Sequence, residues 1–295
     1  MGWPADVPAS AHLFVASATD LTDTLDIAGE DAHHLARVLR LRPGEPVTVA
    51  DGSGTWRPYR LAQTGDMMTP PAPAGPGGPA RRPPGGGRRR PTPTLGPRPG
   101  AEGVRLDATG GLDREPVVEP GLAVAFALTK GEKPDFTVQK LTELGVDRIL
   151  PVLAERSVAR PDPAQGRSAL ERWRRIAREA ARQCRRATLP VVEELGTLAD
   201  LAGHLGLVVA ERGGARPEAL TAPPGGELLV VVGPEGGLAA AEVEKLGPWA
   251  RLDLGPHILR AETAALAAAA VLGPGRRVSM SRRNAPGGSG GPTGM

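Results

Sequence analysis

The sequence predicts an α/β protein in which a parallel sheet, covered by helices on both faces, follows a small β-rich domain. From Leu122 onward, apolar strands alternate with helical segments, a pattern typical of a parallel sheet. Before that, residues 12–62 hold short apolar runs separated by turn signals such as Asp51-Gly52. Near the C-terminus, two glycine-bearing turns are expected at the C-terminal ends of neighbouring strands, each before a helix. Small-molecule sites in open α/β sheets have this arrangement.

The first domain is expected to consist of short strands and one helix. Apolar runs bounded by turn residues predict strands at 12–15, 46–50, 56–61, 103–106 and 117–118. Helical spacing predicts a helix at 30–41 with Leu35, Val38 and Leu39 on one face.

The second domain is expected to begin at Leu122. Strands are predicted at 122–128, 148–153, 207–210, 228–232 and 251–254. Helices are predicted at 135–144, where Gly145 ends the helix, and at 168–186.

Two segments differ in composition from the rest of the chain. Residues 63–103 are rich in Pro, Gly and Arg and hold almost no large apolar side chain, and residues 275–295 are similar. Such segments cannot bury enough surface to offset the entropy lost on ordering, so both are predicted to be disordered. The expected domains are 1–121, interrupted at about 65–103, then 122–274, and a tail at 275–295.

The positive charge is concentrated in these two segments. The formal net charge of the chain is +3, yet residues 79–100 hold six arginines and no acid, and residues 276–295 hold four arginines and no acid. The remainder is therefore net acidic. RNA binding would have to rest on local patches or on the arginine-rich segments.

Cellular location is constrained by what the sequence contains. Cys184 is the only cysteine, which excludes an intrachain disulfide and favours a reducing compartment. The N-terminus lacks the basic and apolar regions of a signal peptide, and the apolar stretch 264–272 is too short to span a membrane. A cytoplasmic protein without a membrane segment is expected.

The first glycine turn reads G-P-E-G-G at 233–237. Glycines let backbone amides approach a ligand, but the turn matches neither the phosphate loop nor the dinucleotide pattern. Alone, it would be interpreted as an ordinary connection between a strand and a helix. Together with the second turn at 254–263, it favours a cofactor site.

The second turn leads into a helix through Leu259, Arg260, Ala261, Glu262 and Thr263. Glu262 and Thr263 can satisfy free amides at the helix start, which is their simplest interpretation. The Arg260 guanidinium could reach a phosphate, a carboxylate or uracil oxygens, or it could form a salt bridge with Glu262.

Arginines are concentrated in the helix 168–186, which holds seven of them and two glutamates. Its charged face carries Arg174, Arg178, Arg182 and Arg185, opposite an apolar face that includes Trp173. The stripe favours RNA backbone contact over a merely solvated face. The arginines that follow His33 and His34 could form a second RNA patch. No metal-ligand cluster is present in the sequence, and no G-x-S-x-G pattern follows a predicted strand, as the nucleophile turn of a hydrolase requires.

Five segments, in order along the chain, resemble one known family. They are H-H-L-A-R-V-L-R-L-R-P-G-E at 33–45, T-K-G-E-K-P-D-F-T-V-Q-K-L-T-E-L-G-V at 129–146, A-R-Q-C-R-R-A-T-L-P-V-V at 181–192, and the two turns within 228–238 and 251–272. Together they resemble the SPOUT class of knotted methyltransferases and, within it, the ribosomal RNA small subunit methyltransferase E family. That family methylates N3 of a uridine in 16S rRNA with S-adenosylmethionine. The resemblance implies a PUA-like RNA-binding domain, a trefoil knot and a homodimer.

The resemblance also implies site residues. Catalytic roles fall to Arg260, which would stabilise charge on the uracil oxygens, and to Glu262 as a candidate base. Cofactor contacts are expected from Val232, Gly233, Pro234, Glu235, Gly236, Leu254, Gly255, Ile258 and Leu259. Contacts to 16S rRNA of the small ribosomal subunit are expected from Arg37, Arg40, Lys130, Lys140, Arg178 and Arg182. No metal is expected.

Two other functions remain open. A SPOUT methyltransferase acting on another rRNA site or on tRNA, for instance at a ribose hydroxyl, would share the glycine turns, although the segment 33–45 matches the rRNA uridine family. A non-catalytic RNA-binding assembly protein could retain the same fold without binding the cofactor.

Overall fold

The first domain is built on one mixed sheet. The computed structural model describes residues 2–62, 103–220 and 226–279. The strands of this sheet are β1 (Ala11–Phe14), β2 (Thr24–Ile27), β3 (Pro46–Ala50), β4 (Thr55–Leu61), β5 (Val104–Ala108) and β6 (Asp113–Arg114). Their order is β1-β3-β4-β5-β2, with β6 paired to β4. β1 and β3 run parallel, and the other pairs are antiparallel.

The predicted helix of this domain is present, but its apolar face is not as expected. Helix α1 (Gly29–His33) continues directly as a π-helical turn over His34–Val38. Leu35 is fully buried, whereas Val38 and Leu39 are 59% and 40% exposed. The prediction that all three share a buried face is wrong, because a π turn is wider than the 3.6-residue α-helix and changes the direction of the side chains that follow.

The segment rich in Pro, Gly and Arg connects two neighbouring strands. β4 and β5 pair with Tyr59 opposite Ala108 and Leu61 opposite Leu106. The chain therefore leaves and re-enters the sheet at adjacent strands. The predicted disorder of residues 63–103 concerns positions that lie outside the described residues, apart from Gly103.

A short strand, β7 (Val117–Glu119), leads into the second domain. Its strands are β8 (Gly121–Ala127), β9 (Arg148–Leu153), β10 (Val191–Val192), β11 (Gly196–Thr197), β12 (Leu207–Ala215), β13 (Glu227–Val232) and β14 (Ala250–Leu252). Its helices are α2 (Lys133–Glu143), α3 (Pro163–Cys184), α4 (Ala240–Leu246) and α5 (Ala261–Leu272). The strand order is β10-β9-β8-β13-β12-β14, with β11 paired to β9. Every pair is parallel, as predicted.

Helices cover both faces of this sheet. Successive strand side chains point to opposite faces, and β8 shows the division clearly. Leu122, Val124 and Phe126 belong to the core that includes residues of α2, α3 and α5. Ala123 and Ala125 belong to the core on the other side, which includes residues of α4. The α/β class with helices on both faces is thereby confirmed.

The beginning of the predicted disordered tail is ordered. Residues Arg277–Ser279 form β15, which pairs antiparallel with β7. The Arg276 side chain is only 6% exposed, and its Nη1 lies 2.7 Å from Asp147 Oδ2. The prediction of disorder from Gly275 is therefore wrong for these first residues, because composition does not reveal the free strand edge and the carboxylate that hold them. The later tail residues lie outside the described part of the chain.

Candidate cofactor cavity and RNA-contact residues

A cavity of about 320 Å³ opens at the carboxyl ends of β12, β13 and β14. Cavities of this size accept small molecules. β13 and β14 pair with opposite sides of β12, so the two glycine turns that follow them face each other across its end. The expectation that the two turns follow neighbouring strands is therefore wrong, because β12 lies between β13 and β14. The intervening strand β12 contributes Val209, Ala210, Glu211 and Arg212 to the wall, residues that sequence reasoning missed.

The first glycine turn forms one wall of the cavity. Gly236 is the exception, because its carbonyl accepts a hydrogen bond of 2.6 Å from Arg156 Nη1. A Cβ atom at Gly236 would lie 3.4 Å from Arg156 Cδ, so this position faces Arg156. The predicted cofactor residues of this turn that line the cavity are Val232, Gly233, Pro234 and Glu235.

The second turn forms the facing wall. Its predicted cofactor residues all line the cavity, namely Leu254, Gly255, Ile258 and Leu259. Gly255 has φ +121°, a backbone conformation that residues with a side chain rarely adopt. Its amide donates a 2.8 Å hydrogen bond to Asp253 Oδ1. Hydrogen bonds from the amides of Gly255 and Gly213 lower the pKa of Asp253, so its carboxylate stays charged.

Lys133 links both turns to helix α2, and sequence reasoning overlooked it. Its Nζ lies 2.8 Å from Glu235 Oε1 and 3.5 Å from Glu262 Oε2, the latter without hydrogen-bond geometry. The hydrogen bond with Glu235 raises the pKa of Lys133 and lowers that of Glu235. Lys133 stands in the quoted segment 129–146, but no local signal indicates a partner about a hundred residues away.

The two proposed catalytic residues lie beside the cavity. Arg260 is exposed at the residue before α5, and its charge contributes to the lowered pKa of Glu235. The Glu262 side chain is 14% exposed and is paired with Lys133. The sequence left open a salt bridge between Arg260 and Glu262. Within the described residues no such salt bridge is present, and Glu262 is paired with Lys133 instead. Neither residue lines the cavity itself, although Leu259 and Ala261, their neighbours in the chain, do.

Most of the predicted arginine stripe, namely Arg178, Arg182 and Arg185, faces the first domain, whereas Arg174 donates to the Val192 carbonyl of the second domain. Arg178 Nη2 donates to the carbonyl of Phe14 at 3.1 Å, and its guanidinium lies 5.0 Å from the centroid of the Phe14 ring. Arg182 Nη2 lies 2.8 Å from Asp31 Oδ1. The expectation that Arg178 and Arg182 present an open RNA face needs correction, since both are engaged in holding the domains together. Helical periodicity shows which side chains share a face, but not what covers that face.

The other predicted RNA contacts have different surroundings. Arg37 and Arg40 are exposed at the end of the π turn, and Lys130 is exposed in the loop before α2. Lys140 Nζ is paired with Glu143 Oε1 at 2.8 Å on the same helix. Arg37, Arg40 and Lys130 therefore remain accessible to a nucleic acid, whereas Lys140 would have to exchange its partner.

The site shows no arrangement of metal ligands. Among the residues that the structure describes, no group of three or more His, Cys, Asp or Glu side chains could hold a metal ion. The acids that line the cavity are instead engaged, Glu235 by Lys133, Glu211 by Arg251 and Asp253 by backbone amides. In the same ranges of the chain, no helix is long and apolar enough to cross a membrane.

Comparisons with known proteins agree with this architecture. The family described as RNA methyltransferase domain matches residues 118–273, and the family described as RNA methyltransferase PUA domain matches residues 27–66. Over 267 residues the chain is 32% identical to ribosomal RNA small subunit methyltransferase E of Mycobacterium bovis, covering 86% of this chain and 88% of that protein. This chain belongs to the ribosomal RNA small subunit methyltransferase E family. The resemblance inferred from the five sequence segments is confirmed.

Two further members of the family extend the comparison. Ribosomal RNA small subunit methyltransferase E of Bacillus subtilis is 38% identical over 157 residues, which cover 48% of this chain and 61% of that protein. The crystal structure of the Neisseria gonorrhoeae methyltransferase, bound to S-adenosyl methionine, is 25% identical and superimposes with a TM-score of 0.65. It covers 89% of this chain and 96% of its own, so the likeness spans both domains.

Proposed function

We propose that this protein transfers the methyl group of S-adenosylmethionine to N3 of a uridine in 16S rRNA of the small ribosomal subunit. The observation that carries the proposal is the cavity between the two glycine turns, with Arg260 and Glu262 beside it, in a member of this family. The Neisseria gonorrhoeae member binds S-adenosyl methionine, which supports the same cofactor here.

The residues of the cavity suit this cofactor. Apolar side chains for the adenine come from Val232, Leu254, Leu259 and Ala264. The glycine turns would offer backbone amides and carbonyls to the polar atoms of adenosine. When bound, S-adenosylmethionine supplies a methyl group activated by its sulfonium. The cofactor residues that we propose are those of the two turns, with Gly236 acting through the backbone of its turn and not through the cavity wall.

The reaction requires the uracil N3 atom to lose its proton. We assign that proton to the Glu262 carboxylate, which lies 3.5 Å from Lys133 Nζ. The electron pair freed from the N3–H bond would form the N3–methyl bond, and the cofactor would leave as S-adenosylhomocysteine, with its sulfur keeping the electron pair of the broken sulfur–methyl bond. Arg260, with its planar pair of donors, stabilises the negative charge that develops on the uracil oxygens. Most of the rate enhancement would come from this positioning and charge stabilisation.

Binding of the ribosomal RNA is assigned to the first domain and to the loop before α2. Arg37, Arg40 and Lys130 are exposed there and would contact phosphates.

Ile258 lines the cavity yet is 81% exposed, which supports a second copy of the chain covering the site in a homodimer. We also propose that the protein acts in the cytoplasm and that the two glycine turns belong to the trefoil knot of the family.

The substrate is tested by methylating purified 30S subunits and, separately, bulk tRNA with isotopically labelled S-adenosylmethionine. Mass spectrometry of the digested nucleosides should find labelled 3-methyluridine in 16S rRNA alone. Label in tRNA or on a ribose hydroxyl would contradict the proposal. Failure of the folded protein to bind S-adenosylmethionine in calorimetry would favour a non-catalytic RNA-binding protein.

The role of Arg260 is tested with Arg260→Lys. We expect cofactor and RNA binding to persist while single-turnover methylation of 30S subunits slows by about a hundredfold, since losing one preorganised donor typically costs that much. Lysine keeps the charge but loses the planar fork. Arg167→Lys, an exposed position on α3, is the control. A rate within about twofold of wild type would refute the role.

A further inference from the structure

Strand β12 carries a bulge at the edge of the cavity. Against β14 its register runs regularly to Ala210 and then jumps to Ala215, so residues 211–214 loop out of the sheet. Gly213 has φ +76°, and a Cβ atom at Gly214 would lie 2.6 Å from backbone atoms of β14. The sequence Glu-Arg-Gly-Gly therefore fits this loop because its last two positions lack side chains.

The bulge is fixed to the second glycine turn. Asp253 accepts hydrogen bonds from the amides of Gly213, at 3.1 Å, and Gly255, at 2.8 Å. The Asp253 amide donates to the Ala215 carbonyl at 2.8 Å. These hydrogen bonds join the bulge and the second glycine turn into one wall of the cavity. Arg212 lies in the bulge that they stabilise.

Most charged groups that line the cavity already have partners. Glu211 is paired with Arg251 at 2.8 Å, and Glu235 with Lys133 at 2.8 Å. Arg212 also lines the cavity and is exposed. Within residues 2–62, 103–220 and 226–279 it has no ion pair within 4.0 Å and no hydrogen bond, although its charge contributes to the lowered pKa of Asp253. An unpaired guanidinium in a cavity wall is a position for an anion.

We propose that Arg212 binds the carboxylate of the methionine part of S-adenosylmethionine, an inference that rests on the proposed function. The adenine and ribose are uncharged, and the sulfonium and the α-ammonium are positive, so the carboxylate is the only anionic group of the cofactor. A guanidinium can grip a carboxylate through two parallel hydrogen bonds. Arg216, four residues further on and also exposed, is not part of the cavity wall. In this proposal the bulge binds the amino-acid end of the cofactor, and the glycine turns bind the adenosine.

The test compares two ligands that differ at that end. S-adenosylhomocysteine carries the amino-acid carboxylate, and methylthioadenosine lacks the amino-acid group. In calorimetry, Arg212→Gln should weaken S-adenosylhomocysteine binding about fivefold or more, the factor expected for an ion pair near the surface, and leave methylthioadenosine within about twofold. Arg212→Lys should restore part of the loss. Arg216→Gln is the matched control and should change neither affinity.

Each other result has a distinct meaning. Equal weakening of both ligands would give Arg212 a role in cavity shape and overturn the inference. Unchanged affinity for both ligands, with weaker binding to 30S subunits, would assign Arg212 to an RNA phosphate and also overturn it. Selective loss in His257→Gln alone would move the carboxylate to that side chain of the wall. If the folded wild-type protein binds neither ligand, the proposed function itself fails.

Discussion

Gly233 and Gly236 stand three residues apart in the first glycine turn, but an added methyl group would meet different neighbours. At Gly233 it would lie 3.0 Å from both the Cγ atom and the backbone nitrogen of Leu238. At Gly236 it would lie 3.4 Å from Cδ of Arg156, a flexible side chain that can move. A close backbone atom cannot give way in this manner, so the two glycines differ in how strictly they are required.

We therefore predict that Gly233→Ala weakens S-adenosylmethionine binding about tenfold, since overpacking typically costs about 1–3 kcal/mol and here displaces the cavity wall. Gly236→Ala should stay within about threefold, because its side chain would face Arg156. Calorimetry measures both affinities, and circular dichroism confirms that both variants are folded. A larger loss at Gly236 than at Gly233 would show that Gly236 faces the ligand.

At the scale of elements, β15 and the loop before it anchor the C-terminal end of the described chain to the second domain. Arg276 bridges Asp147, at 2.7 Å, and the Gly145 carbonyl, at 2.9 Å. Both partners lie in the connection between α2 and β9. The buried guanidinium thus joins the strand pair β7–β15 to the parallel sheet.

We predict that Arg276→Met lowers the free energy of unfolding by about 2 kcal/mol, less than for a fully buried pair because Asp147 is partly exposed. Methionine keeps an apolar stem but removes the charge and its hydrogen bonds. Urea denaturation followed by tryptophan fluorescence gives the value. The control is Arg277→Met, the next residue, whose side chain is exposed. Equal stability of the two variants would mean that the buried ion pair contributes nothing.

At the scale of the whole molecule, the interface between the two domains is apolar and well bonded. Phe14, Ala50 and Trp56 of the first domain pack against Ala181 and Ala187. Arg178 of α3 and Arg185, which follows the helix, extend the interface through hydrogen bonds to backbone carbonyls of the first domain. These contacts connect the first domain to the domain that carries the candidate cofactor cavity.

His12 makes this interface sensitive to acid. Its Nδ1 lies 2.8 Å from Thr48 Oγ1, and its Nε2 lies 3.0 Å from the Arg186 carbonyl of the other domain. Burial lowers the pKa of His12 from 6.5 to about 4. The unfolded chain thus takes up a proton at a higher pH than the folded protein does. The stability that neutral His12 contributes is complete above pH 6.5 and is lost as the pH falls towards 4.

We predict that stability falls by about 3 kcal/mol over this range because of His12, the equivalent of its pKa shift. His12→Gln keeps a neutral hydrogen-bonding group and should flatten this part of the pH dependence. Urea denaturation at several pH values measures it, with His33→Gln, an exposed histidine, as the control. Parallel pH profiles of wild type and His12→Gln would contradict the assignment.

The sequence by itself determined the parallel sheet with helices on both faces, the two glycine turns and the family. Such features are local: apolar periodicity, glycine in turns and runs of residues in a fixed order. β9 was predicted at its observed bounds, Arg148–Leu153, because a continuous apolar run in an α/β domain is typical of a strand buried on both faces.

Only the tertiary structure decided which side chains meet. The packing of the elements brings Lys133 next to Glu235 and Glu262, places β12 between the two turns, and sets Arg178 of α3 against the first domain. It also ordered Arg276 within a segment whose composition indicated disorder. Periodicity specifies the face of an element on which a residue lies, whereas contacts between residues far apart in the chain depend on how the elements pack. The charge and hydrogen-bonding partners of the site are set at that second level.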